Sequence, residues 1–209
     1  PAYLLHPDSG KELVEVYFDR FEQNMNAKGR DGMNYFFQDE LSYPLTILSW
    51  SADMPEQFLA RKGYDIRPYL PALKYDLGSI TTKIRLDYCD VVMTLAEERY
   101  FKPQFDWNDS HGLIYGCDNL GRGLQPLQYL DYFRAMSWHT APGNDAPARG
   151  SSFIQTKVSS SIAHLYNRPR TWLEAFHSMG WGSKTEWLTE QIDHHFMAGG
   201  NLVCLHGLY

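Results

Sequence analysis

The feature that most constrains this chain is a period: short apolar runs, each ending in polar residues, alternate with helical patterns through most of its 209 residues. Tyr35-Phe36-Phe37 runs into Gln38-Asp39-Glu40, and HGLIYGCDNLG (111–121), MSWHTAPGNDAP (136–147), TWLEAFHSMGWG (171–182) and NLVCLHG (201–207) repeat the form. Between the later runs, PLQYLDYFRA (126–135), SFIQTKVSSSIAHLY (152–166) and TEWLTEQIDHHFMAG (185–199) carry apolar residues at helical spacing, the last closed by Gly199. Strands that alternate with helices pair in parallel through right-handed crossovers, so the spacing predicts an α/β fold of five strands. No composition shift or linker interrupts it, and residues 1–209 read as one domain.

Helical patterns also precede and split this period. Ser9-Gly10-Lys11-Glu12 has the form of a capping box ahead of a helix from about residue 10 to 25. Pro55 opens a short helix closed by Gly63, and Ile84, Tyr88, Val91, Val92 and Leu95 share one stripe of a helix from about 81 to 101.

The polar residues at the strand ends choose between the two common α/β architectures. They are Asp39 and Glu40, Asp118 and Asn119, Asn144 and Asp145, Glu174 and His177, and finally His206. In a (β/α)8 barrel the strand C-termini converge on one mouth, whereas a doubly wound sheet collects such groups only at its switch point. Gly116-Cys117-Asp118-Asn119-Leu120-Gly121-Arg122-Gly123 lacks the spacing of a dinucleotide or phosphate loop. A barrel is therefore expected, and because a complete one takes about 250 residues, five strands would be its later part. The absence of an initiator Met and the stop at HGLY after an apolar run agree with a fragment.

Composition removes several functions. Nineteen Lys and Arg against 25 Asp and Glu give a net charge of −6, with no basic run to neutralise phosphates, so nucleic acid is not an expected partner. No apolar run reaches the roughly 18 residues of a membrane span, and PAYLLHPDSG lacks the layout of an export signal. Cys89, Cys117 and Cys204 lie in apolar runs and are expected as buried thiols.

Glu40 and Glu174, each ending an aromatic strand, would face each other across a barrel mouth. Two such carboxyls suit acetal hydrolysis, in which one protonates the leaving oxygen and the other attacks C1 or deprotonates water. Strand-end acids also cap helices, so the pair alone does not decide. Asp118, Asn119, Asn144 and Asp145 offer hard oxygens of the kind Ca²⁺ takes, although Asx residues beside Gly and Pro also form turns. His139, His177 and His206 could converge as metal ligands or sugar hydrogen-bonders, but H-E-x-x-H spacing is absent and adjacent His194 and His195 point about a hundred degrees apart on a helix. Trp107, Trp138, Trp172 and Trp181 are stacking candidates for a sugar face, at least two of them expected in the core.

FFQDELSY, KIRLDYCDVVMTLAEERYFKPQFDWN, HGLIYGCDNLGRGLQPLQYLDYFRAMSWHTAPGNDAP, RGSSFIQTKVSSSIAHLYNRPRTWLEAFHSMGW and QIDHHFMAGGNLVCLHG together resemble the catalytic barrel of glycoside hydrolase family 106, the α-L-rhamnosidases, from about residue 9 onward. The resemblance implies hydrolysis of terminal α-L-rhamnose with inversion, assisted by Ca²⁺, on a rhamnose-containing oligosaccharide, polysaccharide or glycoside. By position, Glu40 matches the general acid and Glu174 the general base. Asp39, Asp118, Asn119, Asn144, Asp145, His177, Trp181 and His206 are the expected substrate-binding set, and the calcium ligands are not assigned. The resemblance also implies a periplasmic or extracellular bacterial enzyme. A carbohydrate-binding barrel remnant without catalysis, and a transition-metal hydrolase built on the strand-end histidines, are the rival readings.

Overall fold

A computed structural model describes residues 3–39, 45–118, 131–146 and 153–206. These residues form two compact units. The first, residues 3–24, 45–104 and 131–135, is helical. Its centre is the helix Thr81–Ala96, whose stripe Ile84, Tyr88, Val91, Val92 and Leu95 is buried as the spacing predicts. The helix Met54–Lys62 adds Met54 and Phe58 and ends at Gly63, whose φ of +78° suits a residue without Cβ. Arg99, 9% exposed, ties the unit together: its guanidinium donates to the Leu5 carbonyl at 2.7 Å and pairs with Asp53.

The first helical stretch departs from its expected capping box. The helix begins at Ser9 itself, and the Ser9 hydroxyl donates to the Leu4 and Arg99 carbonyls instead of capping. The reason is packing, because a Cβ on Gly10 would stand 2.6 Å from the Tyr100 carbonyl oxygen, and this close approach buries the helix start where a solvent-facing cap would have no room.

The second unit, residues 25–39, 105–118, 136–146 and 153–206, holds the sheet. Its strands are β1 (Tyr35–Gln38), β2 (Ile114–Asp118), β3 (Ala141–Ala146), β4 (Trp172–Ala175) and β5 (Leu202–Leu205). All pair in parallel, in the order β1-β2-β3-β4-β5. A doubly wound sheet must reverse its order at a switch point, and this one never does. The sheet is also curled. In a flat sheet β1 and β4 would lie about 14 Å apart at the usual strand spacing. Here the Trp172 ring of β4 stacks on Phe37 of β1 with centroids 4.7 Å apart and meets Tyr35 at 5.4 Å. The result is a parallel five-strand half-barrel, compatible with part of a TIM-like barrel.

Side-chain alternation gives the half-barrel two faces. The register aligns Phe37 with Gly116 and Gly143 with Trp172, so Tyr35, Phe37, Gly116, Gly143 and Trp172 share the concave face. The convex face carries Leu173, Ala175 and Val203 under Trp187, Leu188 and Ile192 of the helix Thr185–Met197. The helix Phe153–Leu165 packs on β3 and meets its neighbour through small residues: Ser160 donates to the Ala198 carbonyl at 2.7 Å, and Thr156 contacts His195 Nδ1 at 2.7 Å. Cys117 is buried and Cys89 and Cys204 are half-buried, all three as thiols.

Candidate active site

The same alternation that places Trp172 inward places an acid inward two residues later. Counting in twos along the concave face, Phe37 leads to Asp39, Gly116 to Asp118, Gly143 to Asp145 and Trp172 to Glu174. Each is at or just beyond the C-terminal end of its strand. Curling then brings acids from non-adjacent strands together: one carboxylate oxygen each of Asp39, Asp118 and Glu174 lies within 4.8 Å of the others. Asp118 and Glu174 are buried, at 1% and 7% exposure, while Asp39 is exposed.

Two histidines pair with acids of this rim. His206, one residue past β5, holds Nε2 3.4 Å from Glu174 Oε1. His177, two residues past β4, holds Nε2 3.2 Å from Asp145 Oδ1 and contacts the Ser178 hydroxyl through Nδ1 at 2.9 Å. The two rings are 5.7 Å apart. The Ala175–Phe176 peptide is cis, and Ser178 has a positive φ of 64°.

Beneath the acids the floor is aromatic and tight. A Cβ on Gly116 would meet the Trp172 ring at 2.7 Å, and one on Gly143 would meet Trp172 Cβ at 2.4 Å and its carbonyl at 2.5 Å. The two glycines make room for the indole, which closes the concave side below the carboxylates.

Most of the expected site residues therefore gather on one rim: Asp39, Asp118, Asp145, Glu174, His177 and His206. Three do not belong to it. Asn144 is fully buried and, being out of phase with Asp145, faces the convex side. Its Oδ1 lacks a partner among the described residues. Trp181 is 91% exposed on the turn beyond β4. His139 precedes β3, so it sits at the opposite end of that strand; it is fully buried, stacked on Tyr115 and 3.3 Å from Gln38 Oε1. Burial lowers its pKa to about 4, and a neutral ring there serves packing. Glu40 and Asn119 lie outside the described residues.

Sequence reasoning named Asp39 and Glu174 for other roles and missed them as partners of Asp118 in one acidic cluster. The signal was present in the i, i+2 spacing from each inward aromatic or glycine to the acid. Three hard, convergent carboxylates are a donor set of the kind Ca²⁺ takes, which makes this cluster the place where such an ion would fit. The histidines join no ligand group of three among the described residues.

Residues 5–208 match the model of glycoside hydrolase family 106, described as alpha-L-rhamnosidase. Among solved structures the chain is similar to a rhamnosidase from Novosphingobium sp. PP1Y, with a TM-score of 0.76 and 22% sequence identity. That likeness covers 97% of this chain and 20% of that protein, so the chain spans about a fifth of the length of its structural relative. No curated protein sequence matches it. With the family match running through both units and every rim acid described above, this chain belongs to the alpha-L-rhamnosidase family, glycoside hydrolase family 106.

Proposed function

We propose that the chain forms the later part of a (β/α)8 barrel that hydrolyses terminal α-L-rhamnosyl linkages with inversion. The observation that carries this reading is the convergence of Asp39, Asp118 and Glu174 at one strand-end rim in a chain of this family. The substrate would be a rhamnose-containing glycoside or glycan. No helix among the described residues is long and apolar enough to cross a membrane, and a periplasmic or extracellular place of action is part of this proposal.

Glu174 is the general base in this reading. Its carboxylate takes a proton from water as the water oxygen bonds to C1, while Glu40 donates its proton to the departing glycosidic oxygen. The C1–oxygen bond breaks on the face opposite the attack, so both carboxyls end with their protonation exchanged and the anomeric centre inverted. His206, 3.4 Å from Glu174, fixes the direction of the base. His177 and Asp145, held together at 3.2 Å, face the same rim and suit the sugar hydroxyls. Where Ca²⁺ is bound, Asp39 and Asp118 would hold it beside Glu174, and it would supply a fixed positive charge that orients vicinal sugar hydroxyls. A general acid and base on opposite faces of the sugar predict carboxyl groups roughly 6.5 to 9.5 Å apart.

Proton NMR of an aryl α-L-rhamnoside incubated with the purified protein tests the reading. β-Rhamnose is expected first, and Glu174→Gln is expected to lower kcat by about 10³-fold, the usual scale for losing a general base. α-Rhamnose first would remove inversion. Hydrolysis unaffected by Glu174→Gln would remove the assigned base.

A further inference from the structure

The turn after β4 holds a nucleophile that the rhamnosidase chemistry does not use. Ser178 stands on this strand-to-helix connection, exposed, with a φ of +64°. Left-handed backbone favours glycine, and the same turn uses Gly180 in that way at +79°. A serine held there is uncommon, and residues kept in such sparsely populated backbone regions cluster at functional sites.

Its hydroxyl ends a chain of polar contacts. The Asp145 carboxylate is buried, 4% exposed, and approaches His177 Nε2 to 3.2 Å through Oδ1 and 3.3 Å through Oδ2. A carboxylate accepts and does not donate, so Nε2 carries the ring proton. Nδ1 keeps its lone pair, and it faces Ser178 Oγ at 2.9 Å. Asp145, His177 and Ser178 thus stand as orienting acid, base and nucleophile, with the base within reach of the hydroxyl proton. Among the described residues His177 is the sole hydrogen-bond partner of the Ser178 hydroxyl, which therefore caps no helix and ties down no backbone.

Two further features complete the constellation. The backbone N–H groups of Met179 and Gly180, next along the chain, have no hydrogen-bond partner among the described residues. In serine hydrolases whose nucleophile sits on a strand-to-helix turn, the N–H that follows it donates to the oxyanion of acyl transfer. Ser178 also borders a cavity of about 570 Å³ between this turn and the helix Thr185–Met197, so a carbonyl has room to approach it.

We propose that Asp145, His177 and Ser178 form an esterase relay that cleaves acyl esters carried by the sugar at the rim. Ser178 Oγ bonds to the ester carbonyl carbon while its proton passes to His177 Nδ1. As the tetrahedral oxyanion collapses, the ester C–O bond breaks and the sugar oxygen takes that proton from His177. Water then adds to the acyl-serine, giving a proton to Nδ1, and the bond to Oγ breaks as Oγ recovers it. Asp145 accepts from Nε2–H throughout, and the net reaction turns ester and water into carboxylic acid and a free hydroxyl. Ester cleavage stands apart from the rhamnosidase reading, whereas the choice of an acylated sugar rests on it. The His177 ring lies 5.7 Å from that of His206, whose Nε2 is 3.4 Å from Glu174 Oε1.

The test treats the purified protein with an alkyl fluorophosphonate and with para-nitrophenyl acetate, locates adducts by peptide mass spectrometry, and follows acetate release from peracetylated methyl α-L-rhamnoside by proton NMR. Both reagents are expected to leave an adduct on Ser178. Ser178→Ala and His177→Gln should each lower acetate release by about 10³-fold, and the double variant should be no slower than either, because the two groups act as a unit. Ser178→Gly, which suits the positive φ, should lose ester cleavage while keeping its Tm and its hydrolysis of an aryl α-L-rhamnoside within twofold. No adduct on Ser178, or acetate release unchanged in Ser178→Gly, overturns the relay and leaves the rhamnosidase reading in place. Ser178-dependent cleavage of para-nitrophenyl acetate with the acetylated rhamnoside untouched overturns the sugar ester as substrate. Ser178-dependent acetate release by a protein that hydrolyses no aryl rhamnoside supports the relay and removes the rhamnosidase reading.

Discussion

Two histidines make stability depend on pH at the scale of single residues. His139 and His195 are both fully buried. Burial lowers each pKa to about 4, and neighbouring His194 adds to the effect at His195. His195 contacts Thr156 Oγ1 through Nδ1, and its Nε2 has no partner among the described residues, so a proton there would add charge without a counter-ion. In the unfolded chain a histidine titrates near 6.5, so between pH 6.5 and 4 the unfolded state binds more protons than the folded one. The stability each neutral ring contributes is therefore full above pH 6.5 and falls as the pH drops toward 4, the loss reaching about 2 kcal/mol per histidine at pH 5. Asp53 acts lower on the scale. Its hydrogen bonds from Arg99 hold the carboxyl well below the ordinary carboxylate range, so its contribution is lost only as pH falls below about 4. The expected outcome is a urea midpoint that declines between pH 6.5 and 4.5 and declines about half as steeply in His195→Gln. An equal decline in that variant would show that His195 is not the proton acceptor.

At the scale of elements, the strands are held in place by what fills the concave side. Trp172 spans from β4 to β1, and Gly116 and Gly143 leave it the space. Gly143→Ala would bring its Cβ within 2.4 Å of Trp172 Cβ and 2.5 Å of its carbonyl oxygen, and since those atoms belong to the backbone or are fixed to it, the strands must separate. Overpacking of this kind costs about 2–3 kcal/mol, which denaturant unfolding would register as a lower midpoint with an unchanged slope. A midpoint unchanged in Gly143→Ala would mean that Trp172 is free to move. Strand positions were legible in the sequence because apolar runs with polar ends are local patterns, and the parallel pairing follows from their alternation with helices. The faces were not read correctly where two polar residues stand side by side. Asn144 and Asp145 look equivalent in sequence, yet only one can share the phase of Gly143, and it is Asp145 that does. His139 was grouped with His177 and His206 because the run MSWHTAPGNDAP contains both ends of a strand, and only pairing shows that β3 starts at Ala141. The capping box at Ser9 failed for a different reason: the partners of its hydroxyl, Leu4 and Arg99, include one 90 residues away, which no local pattern encodes.

On the scale of the whole molecule, the curl of the sheet draws three of the chain's 25 acidic residues together, with one carboxylate oxygen of each within 4.8 Å of the others. Like charges so close, two of them buried, oppose the folded state, and a divalent cation would relieve that repulsion in the native state alone. Sequence indicated acids at strand ends; which acids meet is a property of curvature, and that is why the triad Asp39, Asp118 and Glu174 emerges only from the fold. A calcium ion held there, as proposed above, would act as a folding ligand. With a dissociation constant on the order of 0.1 mM, about 10 mM Ca²⁺ would add about 2.7 kcal/mol, equivalent to about 5–10 °C in Tm for a chain of this size. Mg²⁺, which gives up its waters reluctantly, should shift Tm less. Asp118→Asn, which removes one buried charge without changing shape, should raise the Tm of the calcium-free protein and abolish most of the calcium response. Differential scanning calorimetry with calcium and then with chelator reads both effects without any substrate. A calcium response that persists in Asp118→Asn would place the ion elsewhere, and a calcium-free variant no more stable than the parent would show that the three carboxylates do not repel one another in the native state.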